Sequence, residues 1–496
     1  MTRAARAFWV MVAATLLLQL AWSFALPTFR GPDEIDHTFR ASSLVHGQLL
    51  SREKPQDGRG VLVSVSDDLV EAAQGTCLAY WYSEPDNCVP VSSTADGRSS
   101  IATAAGSYNP LWYAVAGTVA APFEGNAADF AMRAVCAVGL ALLLGWAASL
   151  TTRWDQTGWS LLALVVSITP IVGFSAATAA PNSITIGAGL LLWCAGLTLV
   201  ERPGAPPLVA LLTGAFLLVN THTTGMIWAV LALLAVFLLR PLGWWSTWIR
   251  SDLLRRGGCL VLVGLSVVGE LAWVSWADTN SLGEKVPGLG LPSVGETLTQ
   301  QLVWLFQTVG AFPNRDRPGP VVIYPLFLVP LAVLLVLGSR SADRRTRLAM
   351  AVVGAAWIGV PLTLSLIAYR SEGFAWQGRY ALPLFAGLAL MAARPLALRG
   401  RPLGLPLALV VGGTAVAHAC SVASVSMRTV ERRGSFALAE HLPWAWVLLA
   451  AVALVGGLIP LALTSSWPLT RPAPGSRTQP PETSREPDPD RTAAAR

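Results

Sequence analysis

About 12 apolar runs, most of them close to the roughly 20 residues that carry a helix across a bilayer, restrict this chain more than any motif in it. A segment in lipid must satisfy its own backbone hydrogen bonds, which leaves helices or a closed barrel. A barrel would show short strands of alternating hydrophobicity, and none are visible here. The fold class that follows is an all-α polytopic membrane protein. Composition agrees. The chain has 496 residues, 53% hydrophobic and 13% charged, whereas a water-soluble domain carries about 25% charged residues.

The first run, Phe8 to Phe29, follows Arg3 and Arg6. A cleavable signal peptide has an apolar part of about 7–15 residues and ends in small residues. This run is longer and continues through Trp22, Phe24 and Leu26, so an uncleaved first helix is expected. Further spans are expected at Asp129–Leu150, Gly158–Ser175, Ser183–Val200, Leu208–Asn220, Thr223–Leu239, Cys259–Trp276, Val321–Gly338, Leu348–Ile367, Leu382–Ala393, Gly404–Val425 and Ala445–Leu463. The layout is a first transmembrane helix at 1–29, a long loop with interfacial helices at 30–128, a multi-helix membrane domain at 129–464 and a disordered tail at 465–496. The tail is rich in Pro, Arg and acids and lacks large apolar residues.

Arginines orient this threading, because short cytoplasmic loops collect positive charge. Arg3, Arg6, Arg153, Arg202, Arg240, Arg250, Arg255, Arg256, Arg340, Arg344, Arg345, Arg347, Arg394, Arg399 and Arg401 all fall on one side, with both termini cytoplasmic. The long loop at 30–128 is then extracytoplasmic. Arg428, Arg432 and Arg433 break the pattern: either they bind something anionic outside, or a hairpin is miscounted. The net charge of +6 is spread over these loops, and no basic run reads as a nucleic-acid footprint. Cys77 and Cys88 share the long loop. If that loop lies outside the cytoplasm, a disulfide between them closes a short loop; otherwise they are two unpaired thiols. The bridge is the expectation here.

Chemistry-bearing groups concentrate in the outer segments. Pro32-Asp33-Glu34-Ile35-Asp36-His37 packs three carboxylates and a histidine just past the first helix. If a helix starts at Pro32, Asp33 and His37 share a face. The pattern suits a base that takes a proton from a nucleophile, a divalent-ion ligand, or merely an acidic helix N-terminus at an interface. Tyr369-Arg370-Ser371-Glu372 and Trp376-Gln377-Gly378-Arg379-Tyr380 lie in a short outer loop. Their arginines can pair with phosphate through the planar fork, or snorkel beside an aromatic belt. Thr169-Pro170 and Ala180-Pro181-Asn182-Ser183 mark a hairpin on the same side. Glu270 sits inside an apolar span, which makes it a functional candidate or a hydrogen-bonded packing residue. No phosphate-binding loop, nucleophile elbow, HExxH or dinucleotide fingerprint occurs.

Taken in order, P-D-E-x-x-H after the first helix, N-P-L-W-Y at Asn109–Tyr113, T-P with A-P-N-S at a hairpin, and W-Q-G-R-Y-x-L-P closely resemble a bacterial family of predicted multipass membrane proteins of undefined function. That family in turn looks like the GT-C superfamily of membrane glycosyltransferases, which take sugar from a polyprenyl-phosphate carrier outside the cytoplasm. The resemblance implies a GT-C-like fold. It implies Asp33 as catalytic base and Glu34 as supporting acid or alternative base. It leaves Asp36, His37, Arg370, Gln377, Arg379 and Tyr380 as candidates for holding substrate, the arginines for the carrier's phosphate by charge and placement. A membrane lipid carrier and an envelope glycan or protein acceptor are the implied partners, and a divalent cation is an open requirement. GT-C loops often end in H-P-P-L-Y-Y, whereas this chain has Tyr108-Asn109-Pro110-Leu111-Trp112-Tyr113. The competing reading is a transporter or flippase for a lipid-linked or anionic solute, using Glu270 and Arg428, Arg432 and Arg433. A third is a non-catalytic partner in envelope assembly.

Overall fold

The computed structural model describes residues 2–56, 60–80, 92–279, 290–312, 317–400 and 402–433, all within the unit Met1–Ser466. The expected span at 445–463, the tail at 465–496 and Cys88 lie outside the described residues, as do the side chains of Cys77, Arg428, Arg432 and Arg433.

The first apolar run forms α1 (Arg3–Ala25), capped by the Thr2 hydroxyl accepting from the Ala5 amide at 3.2 Å. The long polar loop then folds into α2 (Glu34–Val45), β1 (Val61–Ser66), α3 (Asp67–Tyr80), β2 (Ser92–Thr94), β3 (Arg98–Thr103) and α4 (Pro110–Ala120). α3 opens on Asp67 and Asp68, acids that complement the helix dipole at its N-terminus. The sheet was not expected. It is antiparallel in the order β1-β3-β2, with Val63 opposite Ile101 and Val65 opposite Ser99. In β1, buried Val63 and Val65 alternate with half-exposed serines, and β1 and β3 pack against α2 and α3.

The remaining helices are α5 (Gly125–Thr151), α6 (Trp159–Ser167), α7 (Pro170–Ala176), α8 (Asn182–Glu201), α9 (Ala205–Thr221), α10 (Gly225–Leu238), α11 (Leu242–Arg250), α12 (Gly258–Ala277), α13 (Val294–Gln307), α14 (Ile323–Ser341), α15 (Arg344–Glu372), α16 (Leu382–Leu398) and α17 (Leu405–Arg433). A π-helical turn, Leu253–Gly257, leads into α12, and a 3-10 turn, Gly378–Ala381, leads into α16.

Among the described residues, 8 helices are long and apolar enough to cross a membrane, or 10 if each bent pair is one span. Of the expected 12, α9 has 17 residues and falls short of a span by length, and the run at 445–463 lies outside the described residues. Two spans are broken by proline. α6 and α7 meet at 60° where Thr169 precedes Pro170, and α10 and α11 meet at 103° across Pro241. Proline lacks the N–H that would continue the ladder and disfavours helix at the residue before it. α13 is also absent from the expected spans. Its capping box pairs Ser293 with Glu296. α17 runs without a break through Arg428 and Arg433, so the three arginines extend a helix.

α8 is wholly buried, packed by α5, α9, α10 and α16. It also measures the molecule. One end lies beside Ala179, and the other carries Glu201, which meets Arg394 near the end of α16. Twenty helical residues at 1.5 Å each put the two ends about 30 Å apart. Arg379 and the N-terminus of α2 belong to the first end, and Arg240, Arg394 and Thr346 to the second.

Candidate functional site

Two adjacent carboxylates, Asp33 and Glu34, are placed in opposite ways. Glu34 is fully buried. Its Oε1 accepts from Arg133 Nε at 2.8 Å and from the Ala179 amide at 2.7 Å. Its Oε2 accepts from Arg133 Nη2 at 2.7 Å and from the Gly31 amide at 2.7 Å. Four donors saturate the carboxylate. Arg133 also donates to the carbonyls of Leu26 at 2.7 Å and Pro27 at 2.6 Å, and pairs with Asp129 at 2.9 Å. One guanidinium thus binds the end of α1, the start of α2 and α5 together. Gly31 is required here because a Cβ at that position would run into the Thr178 side chain.

Asp33 is the residue before α2, with φ 60° and ψ 11°, the left-handed region that Asp tolerates better than most side chains. Its carboxylate does not cap the helix. Instead Oδ2 accepts from Arg379 Nη2 at 2.9 Å across 346 residues of chain. The Asp33 side chain is 42% exposed and that of Arg379 only 4%. A sheltered cation therefore holds one oxygen of an accessible carboxylate.

The Arg379 turn is set by α13. Gln307 Oε1 accepts from the Gly378 amide at 2.8 Å, and Trp304 Nε1 donates to the Trp376 carbonyl at 3.1 Å. A Cβ on Gly378 would collide with the Trp304 carbonyl, so only glycine permits this approach. The Arg379 guanidinium lies 5.3 Å over the Tyr380 ring, which is 5.6 Å from Trp376 and 5.0 Å from His222.

His37 completes the floor. Its Nδ1 is 2.7 Å from Tyr113 Oη, and its ring stacks on Tyr113 at 5.8 Å, with Trp112 at 6.3 Å and Tyr108 at 6.1 Å. Burial pushes the His37 imidazole down to about 4; Asp33 opposes the shift, while Arg379 and His222 add to it. Burial and then Arg379 bring His222 to about 4 as well, against Asp33. Burial raises the Tyr113 phenol well above its ordinary range. At neutral pH both imidazoles are therefore uncharged. His222 Nδ1 accepts from the Thr224 amide at 3.2 Å, so its proton sits on Nε2.

The other expected residues separate. Asp36 is buried and accepts from the Ala104 amide at 2.6 Å, tying α2 to the end of β3. Gln377 is buried, and its carbonyl accepts from the Tyr380 amide at 3.1 Å. Arg370 is exposed in the last turn of α15 and makes no ion pair with Asp33 among the described residues. Glu270 is buried and accepts from Asn109 Nδ2. Asn109 also caps α4 through the Leu111 amide at 3.0 Å, and neighbouring Asn220 donates to Ser266 at 2.8 Å. That network ties the otherwise exposed α12 to α4 and α9. Among the described residues no group of three or more His, Cys, Asp and Glu could hold a metal ion.

Arg133 and His222 are the residues that sequence reasoning undervalued. An arginine inside the apolar run 129–150 was a visible flag, since charge in a span needs a partner. His222 carried no comparable mark.

Residues 16–388 match the family described as DUF2142, Predicted membrane protein. No curated protein matches the chain. Two solved structures are similar to it. The apo form of ArnT from Cupriavidus metallidurans is 13% identical, with 92% of this chain and 76% of that chain covered and a TM-score of 0.45. The same protein bound to undecaprenyl phosphate is 15% identical, with the same coverage and a TM-score of 0.42. Both likenesses are loose.

Proposed function

The chain belongs to the DUF2142 family of predicted membrane proteins, and on that premise we propose that it is a membrane glycosyltransferase moving a sugar from a polyprenyl-phosphate carrier to an envelope acceptor. The observation that carries this reading is the Asp33–Arg379 pair, an accessible carboxylate beside a buried guanidinium. Sugar transfer from such a carrier needs those two groups. The acceptor hydroxyl must lose a proton, and the departing phosphate must gain a negative charge.

Asp33 accepts the proton from the acceptor hydroxyl as its oxygen bonds to the anomeric carbon. The bond from that carbon to the carrier oxygen breaks, and the electron pair leaves with the phosphate. A singly charged diester becomes a monoester of higher charge, and Arg379 lies where a bidentate donor can hold it. The Tyr380, Trp376 and His222 rings line the same side, and the His222 Nε2–H is a neutral donor beside them. Glu34 takes a positioning role: its four donors leave no lone pair for a proton in flight, and with Arg133 it orients the backbone that presents Asp33.

The arginines support the placement of this site outside the cytoplasm. Arg240, Arg344, Arg345 and Arg394 gather at the end of the bundle opposite Asp33, as the positive-inside rule requires of the cytoplasmic end. The test uses purified protein in liposomes with a pool of polyprenyl-phosphate sugars, following release of free polyprenyl phosphate. Release that depends on donor, is lost in Asp33→Asn and survives in Glu270→Gln supports the transferase. Carrier movement across the bilayer without release, abolished by Glu270→Gln, would replace it with the transporter.

A further inference from the structure

At the end of the bundle opposite Asp33, the chain between α10 and α12 is neither a span nor a simple loop. α11 turns 103° from α10 and so runs across the bundle direction. Its aromatic face turns inward: Trp248 is buried, Trp244 and Trp245 are half-buried, and Trp245 stacks on Phe237 at 5.6 Å. Trp244 and Trp248 lie parallel, 6.2 Å apart with 3° between their planes. Each carries a guanidinium, Arg240 at 5.7 Å from Trp244 and Arg256 at 4.8 Å from Trp248.

The outer face combines two features that conflict in water. Leu242 is 72% exposed, Leu253 62% and Leu254 93%. Between and beside them stand exposed Arg250 and Arg255, with Arg344, Arg345 and Arg347 exposed at the start of α15. Arg345 Nη1 reaches the Arg240 carbonyl at 3.4 Å, which joins the two groups. The segment 240–257 holds four arginines and one acid, Asp252, placed 4.0 Å from Arg255. α12, which starts at this level, has little of its length buried within the protein, as expected of a helix that faces lipid.

We propose that α11, the π-helical turn and the base of α12 form a docking surface for anionic phospholipid in the leaflet at this end of the bundle. Leucines beside arginines at the foot of a lipid-facing helix match the boundary between headgroups and acyl chains, where both are satisfied at once. A soluble anion would pair the arginines and leave the leucines in water. The inference does not rest on the transferase reading.

The experiment is native mass spectrometry of the full chain released from detergent micelles holding dioleoylphosphatidylglycerol or dioleoylphosphatidylcholine. The wild type should retain the glycerol lipid in preference to the choline lipid. The double variant Arg250→Gln, Arg255→Gln changes exposed side chains only and should lose about thirtyfold in affinity for the anionic lipid, with no change toward the neutral one. Leu253→Ser with Leu254→Ser should weaken both lipids at this surface. Equal retention by wild type and the arginine variant would overturn the proposal. So would displacement by glycerol 1-phosphate at the lipid's own concentration, which assigns a soluble anion. An arginine-dependent dimer unaffected by lipid would assign the surface to a second copy instead.

Discussion

Asp33 and Glu34 are neighbours with the same chemistry, and each meets an arginine from far along the chain, yet the two pairs are built for different ends. The Glu34–Arg133 pair is 0% and 1% exposed and every donor and acceptor is engaged within the protein. The Asp33–Arg379 pair leaves its carboxylate 42% exposed, on a left-handed backbone position. A saturated buried pair stabilises one geometry and has nothing left to give a substrate. A half-open pair leaves part of its carboxylate accessible and can exchange partners. The first is the mount for the second.

The strongest way to break that comparison is to remove the open carboxylate. Asp33→Asn should lower transfer in proteoliposomes by about 10²–10⁴-fold, the range for loss of a general base, while its thermal midpoint falls less than in Arg133→Met, because Asn keeps an oxygen that can accept from Arg379. A variant with normal turnover would take Asp33 out of the mechanism.

Arg133→Met should act the other way round. It strands Glu34 in the interior and should cost about 3–5 kcal/mol of stability. Size-exclusion profiles and thermal unfolding in detergent would show it. Arg133→Met with Glu34→Gln should recover part of the loss, because the two changes share one interaction. Additive losses would mean that the pair is not a unit.

Arg379 sharpens the chemical side. Arg379→Lys keeps the charge and loses the fork, so turnover should fall less than in Arg379→Gln, by an intermediate factor of about 10-fold. Equal loss in both would point to packing against Tyr380 as its role.

The smallest effect is in pH. His37 and His222 titrate at about 4 in the folded chain, against 6.5 in the ordinary imidazole. The unfolded chain therefore binds more protons between these values, and stability should fall as pH drops from about 6.5 to about 4. His37→Gln should flatten the thermal midpoint over that interval. An unchanged slope would move the acid sensitivity elsewhere.

Much of the helix layout was readable beforehand. The runs at 129–150, 183–200, 259–276 and 382–393 became α5, α8, α12 and α16 with ends shifted by a few residues. Hydrophobic length is a local property, and in lipid it has one backbone solution. The proline breaks were not in the expected layout: a single span was expected through Thr169-Pro170, and no break at Pro241, although proline is the local cause of both. The strands of the polar loop were less legible: β2 has three residues, all exposed, and carries no periodic pattern.

The site divides along the same line. That Asp33 stands just after the first helix, and Arg379 in a short segment before another, followed from the order of apolar and polar stretches alone. Which carboxylate is sealed and which is open did not. Asp33 and Glu34 differ in role only because α5 brings Arg133 under one of them and the turn held by α13 brings Arg379 over the other. Local sequence decides where a helix can cross a membrane, since that depends on the transfer of each residue into lipid. The pairing of charges separated by 99 and 346 residues depends on how helices pack, and only the assembled bundle decides it.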